Sequence, residues 1–157
     1  MSMARRGVLD AIALIAVTLW VGSMWAVGYL ATPTLFAMLD DRTLAGNVAG
    51  QLFAVVAWIG MAVALYLLAL ILVRTGRAAL RTRLFWVVAV MLACVAVGYF
   101  GIQAEMAALK ASAGSVDVMN SDSALRGQFA TLHGVSSVIY LLQSVLGVGL
   151  VIGMRRL

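Results

Sequence analysis

The side chains best suited to chemistry recur at spacings of three and four residues near the C-terminus. They are Arg126, Phe129, His133, Ser136 or Ser137, Tyr140 and Ser144. In an α-helix these spacings place side chains on one face. His133 is the sole histidine of the chain, and an imidazole can exchange protons near neutral pH or ligate a metal. The stripe therefore predicts proton exchange or metal contact at His133. The alternative is a hydrogen-bonded histidine that holds two helices in register.

Four long stretches without charge must carry this stripe. They are Ala11–Leu39, Thr43–Val73, Leu84–Ala104 and Gly127–Met154. Each has the roughly 20 apolar residues that cross about 30 Å of hydrocarbon. Across all 157 residues, 64% are hydrophobic and 11% are charged. The sequence predicts an all-α polytopic membrane protein, an antiparallel bundle of four transmembrane helices that forms one domain over residues 1–157. Little of the chain is left for a soluble catalytic domain.

The polar stripe should face the interior of this bundle, because exposing polar groups to lipid is costly. Counting about 20 residues back from Arg155 places His133 near the outer membrane boundary. Matched depth then predicts one polar pocket at the outer side, together with polar groups such as Tyr29, Asp41 and Gln103. The candidate binding residues are His133, Glu105, Arg126, Phe129, Ser137, Tyr140, Asp40, Gln51 and Tyr99.

Arginines mark one side of the predicted bundle. They are Arg5, Arg6, Arg74, Arg77, Arg81, Arg83, Arg155 and Arg156. Basic residues favour the cytoplasmic side of membrane proteins. We therefore expect a multi-pass protein of the bacterial inner membrane with both termini and the Arg74–Arg83 connector in the cytoplasm. The net charge of +5 reflects this orientation and an attraction to anionic lipid of the bilayer. It does not indicate nucleic-acid binding.

Helix boundaries follow from breakers and caps. Pro33 should end the first helix, because proline removes a backbone donor and clashes with the preceding turn. We expect Thr34–Asp41 to lie as a short amphipathic segment at the outer interface. Asp40 or Asp41 should cap the second helix. The expected helices are Val8–Ala31, Thr43–Val73, Leu84–Ala108, which leaves the membrane around Gln103 or Glu105, and one from Ser121 or Asp122 to Arg155.

Glycines recur at the spacing that lets helix backbones approach closely in lipid. Gly46 and Gly50 form one GxxxG pair, and Gly149 and Gly153 form another. Such pairs are typical of transmembrane helix contacts. Packing within the chain is the first interpretation, and a homo-oligomeric face is the alternative.

No cofactor is predicted, although copper and haem remain open. Thioethers suit Cu(I), but the nine methionines include no MxxM pair. One histidine does not supply bis-histidine haem ligation within one chain. CxxC, HExxH and P-loop motifs are absent from the sequence. Cys94 is the sole cysteine, so an intramolecular disulfide is excluded.

Three blocks carry a family resemblance. Trp20–Leu39 (WVGSMWAVGYLATPTLFAML), Gly50–Phe53 (GQLF) and Ser123–Leu142 (SALRGQFATLHGVSSVIYLL) resemble the transmembrane protein 205 family, whose bacterial relatives are filed as a membrane domain of unknown function. The resemblance implies four spans and an outer site around Pro33, Phe36, Phe129 and His133. Helix 1 is more distantly similar to copper-resistance D proteins and to membrane-type haem-binding protoporphyrinogen oxidases. Those proteins rely on histidines in helices where this chain has none.

Three functional hypotheses follow. The first is a small transport or metal-handling protein that uses the outer pocket, with His133 as the candidate metal ligand. The second is a structural or accessory subunit that packs against a larger membrane complex. The third is a membrane oxidoreductase linked to haem or quinone.

Overall fold

The part of the chain that the structure describes forms six α-helices. The computed structural model describes residues 3–113 and 123–154, with side chains from residue 7 onward and from residue 124. The helices are α1 (Met3–Trp25), α2 (Thr32–Met38), α3 (Arg42–Thr75), α4 (Arg83–Ala96), α5 (Ala104–Ala113) and α6 (Ser123–Gly153). Two π-helical segments, Ala26–Ala31 and Val97–Gln103, and a 3₁₀ segment, Gly76–Arg81, continue them. These described residues contain no strand, and the all-α prediction is confirmed.

Consecutive helices join into four rods long and apolar enough to cross a membrane. They are span 1 (Gly7–Met38), span 2 (Arg42–Arg81), span 3 (Arg83–Ala113) and span 4 (Ala124–Gly153). Spans 2 and 4 each pack against both span 1 and span 3. The start of α1, the Gly76–Arg81 connector and the end of α6 therefore share one end of the bundle, called here the arginine end. The opposite end is called the distal end. The predicted four-helix arrangement is confirmed.

The apolar core lies in the half of the bundle nearer the arginine end. Its fully buried side chains include Trp20, Leu67, Val88, Met91 and Leu150. Trp20 packs against Gly60, where a Cβ atom would stand 2.5 Å from the indole Nε1. A glycine is needed here because any side chain would collide with the buried ring.

An ion pair also joins spans 1 and 2 in this half. Arg74 donates to Asp10 at 2.5 Å, with the two side chains 18% and 45% exposed. From the sequence, Arg74 is only one of the arginines that mark one side of the bundle. Instead, its guanidinium is mostly enclosed, and its Nε and Nη2 atoms are buried without a hydrogen-bond partner among the described residues.

Pro33 does not end the first helix, so that prediction is wrong. Span 1 continues to Met38, and Thr34–Met38 extends the rod instead of forming a separate interfacial segment. The π segment Ala26–Ala31 precedes the proline, with the Thr32 N–H donating to the Val27 carbonyl. The wider π turn changes the hydrogen-bond register just where proline removes a donor.

The third helix also runs further than predicted, to Ala113. It passes through the second π segment at Val97–Gln103, so the polar residues near Gln103 do not mark its end. Asp41 caps α3, since its carboxylate accepts from the N–H groups of Thr43 (2.8 Å) and Leu44 (3.0 Å). One of the two predicted caps is thereby confirmed. Ser121 and Asp122 lie outside the described residues.

Candidate functional site

Residues from all four spans meet at the distal end around Lys110. A Cβ atom built on Gly46 of span 2 would lie 3.5 Å from the Lys110 Nζ and 3.8 Å from the Phe36 ring of span 1. The same ammonium lies over the Phe129 ring of span 4, 5.8 Å from its centroid. We call these four residues the Lys110 ring.

Lys110 is half-buried, and no carboxylate among the described residues lies within ion-pair distance of its ammonium. A cation–π contact stabilises an ammonium by about 0.5–1 kcal/mol at exposed sites. This contact offsets only part of the cost of removing a charge from water. Within the described ranges, the ring therefore contains one positive charge without a carboxylate partner.

The next layer inward contains one satisfied and one unsatisfied polar group. Gln103 donates through Nε2 to the Gly50 carbonyl at 2.9 Å, one turn of span 2 below Gly46. Thr32 lies one turn below Phe36 on span 1, and its Oγ1 is buried without a hydrogen-bond partner among the described residues. Buried hydroxyls are rarely left in this state. After Lys110, the Thr32 hydroxyl is thus the second polar group in this region that can form a hydrogen bond to a bound solute.

A tyrosine layer closes the polar region from below. It consists of Tyr29, Phe53, Tyr140 and Ser144. The Tyr29 hydroxyl donates to Ser144 Oγ at 2.9 Å, and the Tyr140 hydroxyl donates to the Met24 carbonyl. The Phe53 and Tyr140 rings meet edge to face with centroids 5.3 Å apart. Because these donors have acceptors, the layer serves packing and does not present free groups.

Close approach at Gly28 sets the position of this layer. A Cβ atom there would collide with Cε1 of Tyr140, so span 1 must carry glycine opposite the ring. Gly28 lies within the π segment Ala26–Ala31. Below the layer, Gln143 bonds the Met91 carbonyl at 3.2 Å, and the apolar core follows.

His133 and Ser137 do not face the bundle interior, so the prediction is wrong for these two residues. Both side chains are exposed, and Ser137 Oγ donates to the His133 carbonyl at 2.8 Å. The His133 ring stacks on Phe129 with a 7° angle between planes. The physical reason is the rotation of span 4, whose inward residues include Ser136, Gln143 and Gly147. Ser137 follows Ser136 and points about 100° away.

The remaining predicted site residues divide between surface and contact. Asp40, Gln51, Glu105 and Arg126 are exposed and lie outside the Lys110 ring. Tyr99 is half-buried and accepts a hydrogen bond from Trp58 Nε1 at 3.3 Å. Of the nine candidates, the structure therefore brings Phe129 to the Lys110 ring and Tyr140 to the tyrosine layer.

Glu105 lines a separate open cleft between α5 and α6, with a volume of about 550 Å³. Leu109, Gln128 and Thr131 also line it. The volume is within the range of small-molecule sites. Lys110 and His133 do not line it.

In each of the two predicted GxxxG pairs, one glycine lies close to a neighbouring span and the other does not. Gly46 is part of the Lys110 ring, and a Cβ on Gly153 would meet Leu84 at 3.3 Å. A Cβ on Gly50 or Gly149 would meet nothing within 4 Å in the described part of the chain. Close approach within the bundle instead occurs at Gly28, Gly60 and Gly147.

Metal ligation by several residues of one chain finds no support in the described ranges. They contain no group of three or more His, Cys, Asp and Glu residues that could hold a metal ion. The residue that sequence reasoning missed is Lys110. Its signal was present, because it is the sole lysine of the chain. The sequence alone predicts a position on the outer surface for Lys110, because the helix is expected to leave the membrane around Gln103 or Glu105.

The model of the family "Domain of unknown function (DUF4149)" matches residues 15–115. The chain belongs to this family. The DUF4149 match covers nearly all of spans 1 to 3, including Phe36, Gly46 and Lys110. Phe129 and Tyr140 of span 4 lie beyond it. No curated protein matches the chain, and no solved structure does.

Proposed function

We propose that this membrane protein binds a small water-soluble solute at its distal end, as a transport-type protein. The observation that carries the proposal is the Lys110 ammonium, which residues of the other three spans surround and which no described carboxylate neutralises. Buried hydroxyls and charges without partners are costly in membrane proteins and often mark solute or ion pathways. The Thr32 hydroxyl, deeper in span 1 and without a hydrogen-bond partner in the described ranges, supports the same region.

Helix lengths support a water-accessible depth for this site. The 34 residues of α3 measure about 51 Å at 1.5 Å per residue, whereas the hydrocarbon core is about 30 Å thick. Counting about 20 residues from Arg74 and Arg83 reaches Ala54 and Gln103. Gly46 and Lys110 lie beyond those points, at the depth of lipid headgroups.

Below the Lys110 ring, the polar region ends at the tyrosine layer and the apolar core. A solute entering from the distal end would therefore stop halfway through the bundle in this conformation. The two π segments lie at the level of the stop, in spans 1 and 3. Such segments are frequent at functional sites, and a change in their register is the motion we propose for solute passage.

Substituted-cysteine accessibility tests the proposal. In a Cys94→Ser background, Thr32→Cys should react with a small hydrophilic thiosulfonate reagent in the lipid-reconstituted protein. The matched control is Leu67→Cys, whose native side chain is 1% exposed within the apolar core. That control should stay unreactive. If Thr32→Cys were as unreactive toward the reagent as Leu67→Cys, a solute-accessible region would be refuted.

Several finer assignments belong to the same proposal. We place the protein in a bacterial inner membrane with the arginine end in the cytoplasm, by the positive-inside rule. We treat residues 1–157 as one domain. The likeness to the transmembrane protein 205 family and to copper-resistance D proteins remains a prediction from the residues. Metal handling at His133 and the oxidoreductase hypothesis likewise stay predictions.

A second candidate is an accessory or homo-oligomeric role. An apolar groove of about 280 Å³ runs between spans 1 and 4 on the outside of the bundle, lined by Val21, Gly22, Trp25, Val148, Val151 and Ile152. Small residues in such a groove permit close helix approach in lipid. Gly22→Leu should then release a partner or a second copy during purification in mild detergent. Unchanged mass of the purified particle would contradict this role.

A further inference from the structure

We infer that the solute held at the Lys110 ring is an anion with an apolar portion, such as an organic carboxylate or a phosphate ester. This inference rests on the proposed function and names the chemical class of its ligand. The juxtaposition that carries it is an ammonium that no described carboxylate neutralises, over the Phe129 ring and near the Phe36 ring at Gly46.

The positive charge of Lys110 is the reason to expect an anionic ligand. The described chain supplies no carboxylate to Lys110, and a half-buried ammonium is stabilised most by a charge-assisted bond to an oxyanion. The nearest acidic residue on the same helix, Glu105, lies on the separate cleft between α5 and α6. A cationic ligand would face repulsion from the ammonium at the ring.

The aromatic ring beside Lys110 is the reason to expect an apolar portion in the ligand. The Phe36 ring and the Lys110 Nζ both lie within 4 Å of one point above Gly46, where the missing side chain leaves the Gly46 backbone uncovered. An anion that bonds Nζ at this point also touches an aromatic ring. Apolar area removed from water contributes about 25 cal/mol per Å², so a ligand with a short apolar chain should bind better than a bare inorganic ion.

Lys110 is the sole lysine of the sequence, which gives the inference a direct readout. Acylation of its amine by a hydrophilic N-hydroxysuccinimide ester can be followed by peptide mass spectrometry in phosphatidylcholine nanodiscs. The probe is hexanoate, and its charge-reversed control is hexyltrimethylammonium at equal ionic strength. Arg42→Lys adds an exposed reference amine in the same molecule, whose rate should not change.

At a hexanoate concentration four times its Kd, acylation of Lys110 should slow about fivefold, because one site in five remains free. Hexyltrimethylammonium should leave the rate unchanged. Slowing by phosphatidylglycerol in the disc, without added hexanoate, would identify a lipid headgroup as the source of the anion. Slowing by free hexanoate would identify a soluble ligand, whereas stronger protection by inorganic phosphate than by hexanoate would overturn the apolar portion of the assignment.

No protection by hexanoate, inorganic phosphate or phosphatidylglycerol would overturn the anion assignment. So would equal protection by the cationic control. Failure of this inference is separable from failure of the proposed function, because Thr32→Cys would still react with the thiosulfonate reagent. If both Thr32→Cys and Lys110 are inert, the proposed function falls as well.

Discussion

Gly60→Ala tests whether the core packs as described. The new Cβ would stand 2.5 Å from Trp20 Nε1 and 2.9 Å from Cε2, whereas carbon contacts are optimal near 3.5–4.0 Å. Trp20 is only 1% exposed, so it has little free space into which to move. Overpacking of this kind costs about 1–3 kcal/mol. Alanine in place of glycine returns at most about 1 kcal/mol through helix propensity.

The matched control is Gly22→Ala, because a Cβ at Gly22 meets nothing within 4 Å in the described chain. Both variants gain the same propensity, so their difference isolates the collision and should be about 1–3 kcal/mol. Unfolding by sodium dodecyl sulfate in mixed micelles, followed by circular dichroism, gives the two free energies.

A second background separates the collision from other effects. Trp20→Leu removes the ring atoms that the new Cβ would meet. In that background Gly60→Ala should cost less than in the native chain, which a double-mutant cycle measures. The packing argument is refuted if Gly60→Ala is as stable as Gly22→Ala, or if its cost is the same in both backgrounds.

Three further substitutions have expected outcomes measurable by the same unfolding assay. Asp41→Ala removes the acceptor of two N–H groups at the start of α3 and should lower the free energy of unfolding by about 1 kcal/mol. The control Asp40→Ala should change it little. Equal costs of the two substitutions would contradict Asp41 as the cap. Tyr140→Phe leaves the Met24 carbonyl without its side-chain donor and should cost about 0.6–1.7 kcal/mol; an unchanged free energy of unfolding would argue against this bond. Asp10→Asn should destabilise the chain by about 1 kcal/mol, a cost between those of breaking an exposed and a buried ion pair. In an Arg74→Met background the cost of Asp10→Asn should be smaller. Purely additive costs of the two substitutions would exclude the ion pair.

The four spans could be predicted from sequence because the bilayer imposes one strong requirement on the backbone. Every N–H and C=O in hydrocarbon needs a partner, and an unbroken apolar helix supplies it. Hydropathy reports where a helix leaves lipid, however, and not where the helix ends. Span 3 therefore continues past Gln103 to Ala113, and span 1 continues past Pro33 to Met38.

The π segments explain why the sequence does not predict which residues of spans 1 and 3 face the bundle. A shift from i→i+4 to i→i+5 bonding alters which residues face the bundle, and no residue pattern in span 1 or span 3 announces that shift. Pro33 marks one position where such a change is useful. Span 3 has no proline at Val97–Gln103, and we have no physical account of why its π segment begins there.

The candidate site was predictable in depth but not in rotation. Tyr140 and Ser144 face inward as the three-and-four spacing indicates, and both take part in hydrogen bonds of the tyrosine layer. His133 lies at the edge of the same face and is exposed. A spacing pattern spans a wide arc, and only the packing of neighbouring helices decides which edge is covered.

Lys110 shows how a charge can be misassigned from sequence. A lysine near a helix end is usually solvated, and the ends of spans 3 and 4 are separated in the chain by residues 114–122, which lie outside the described ranges. Its neighbours Phe36, Gly46 and Phe129 come from three other spans. Their meeting depends on how the distal ends converge, which pairwise spacing along one helix does not encode.

The most direct measurement of the central claim is the reaction of Lys110 with a membrane-impermeant amine reagent from each side of the bilayer. Lys110→Arg serves as the blank, because the chain has no other lysine. Modification in right-side-out vesicles but not in inside-out vesicles is predicted for a water-accessible ring on the outer side. Modification only in inside-out vesicles would reverse the proposed orientation. No modification from either side would contradict the site itself.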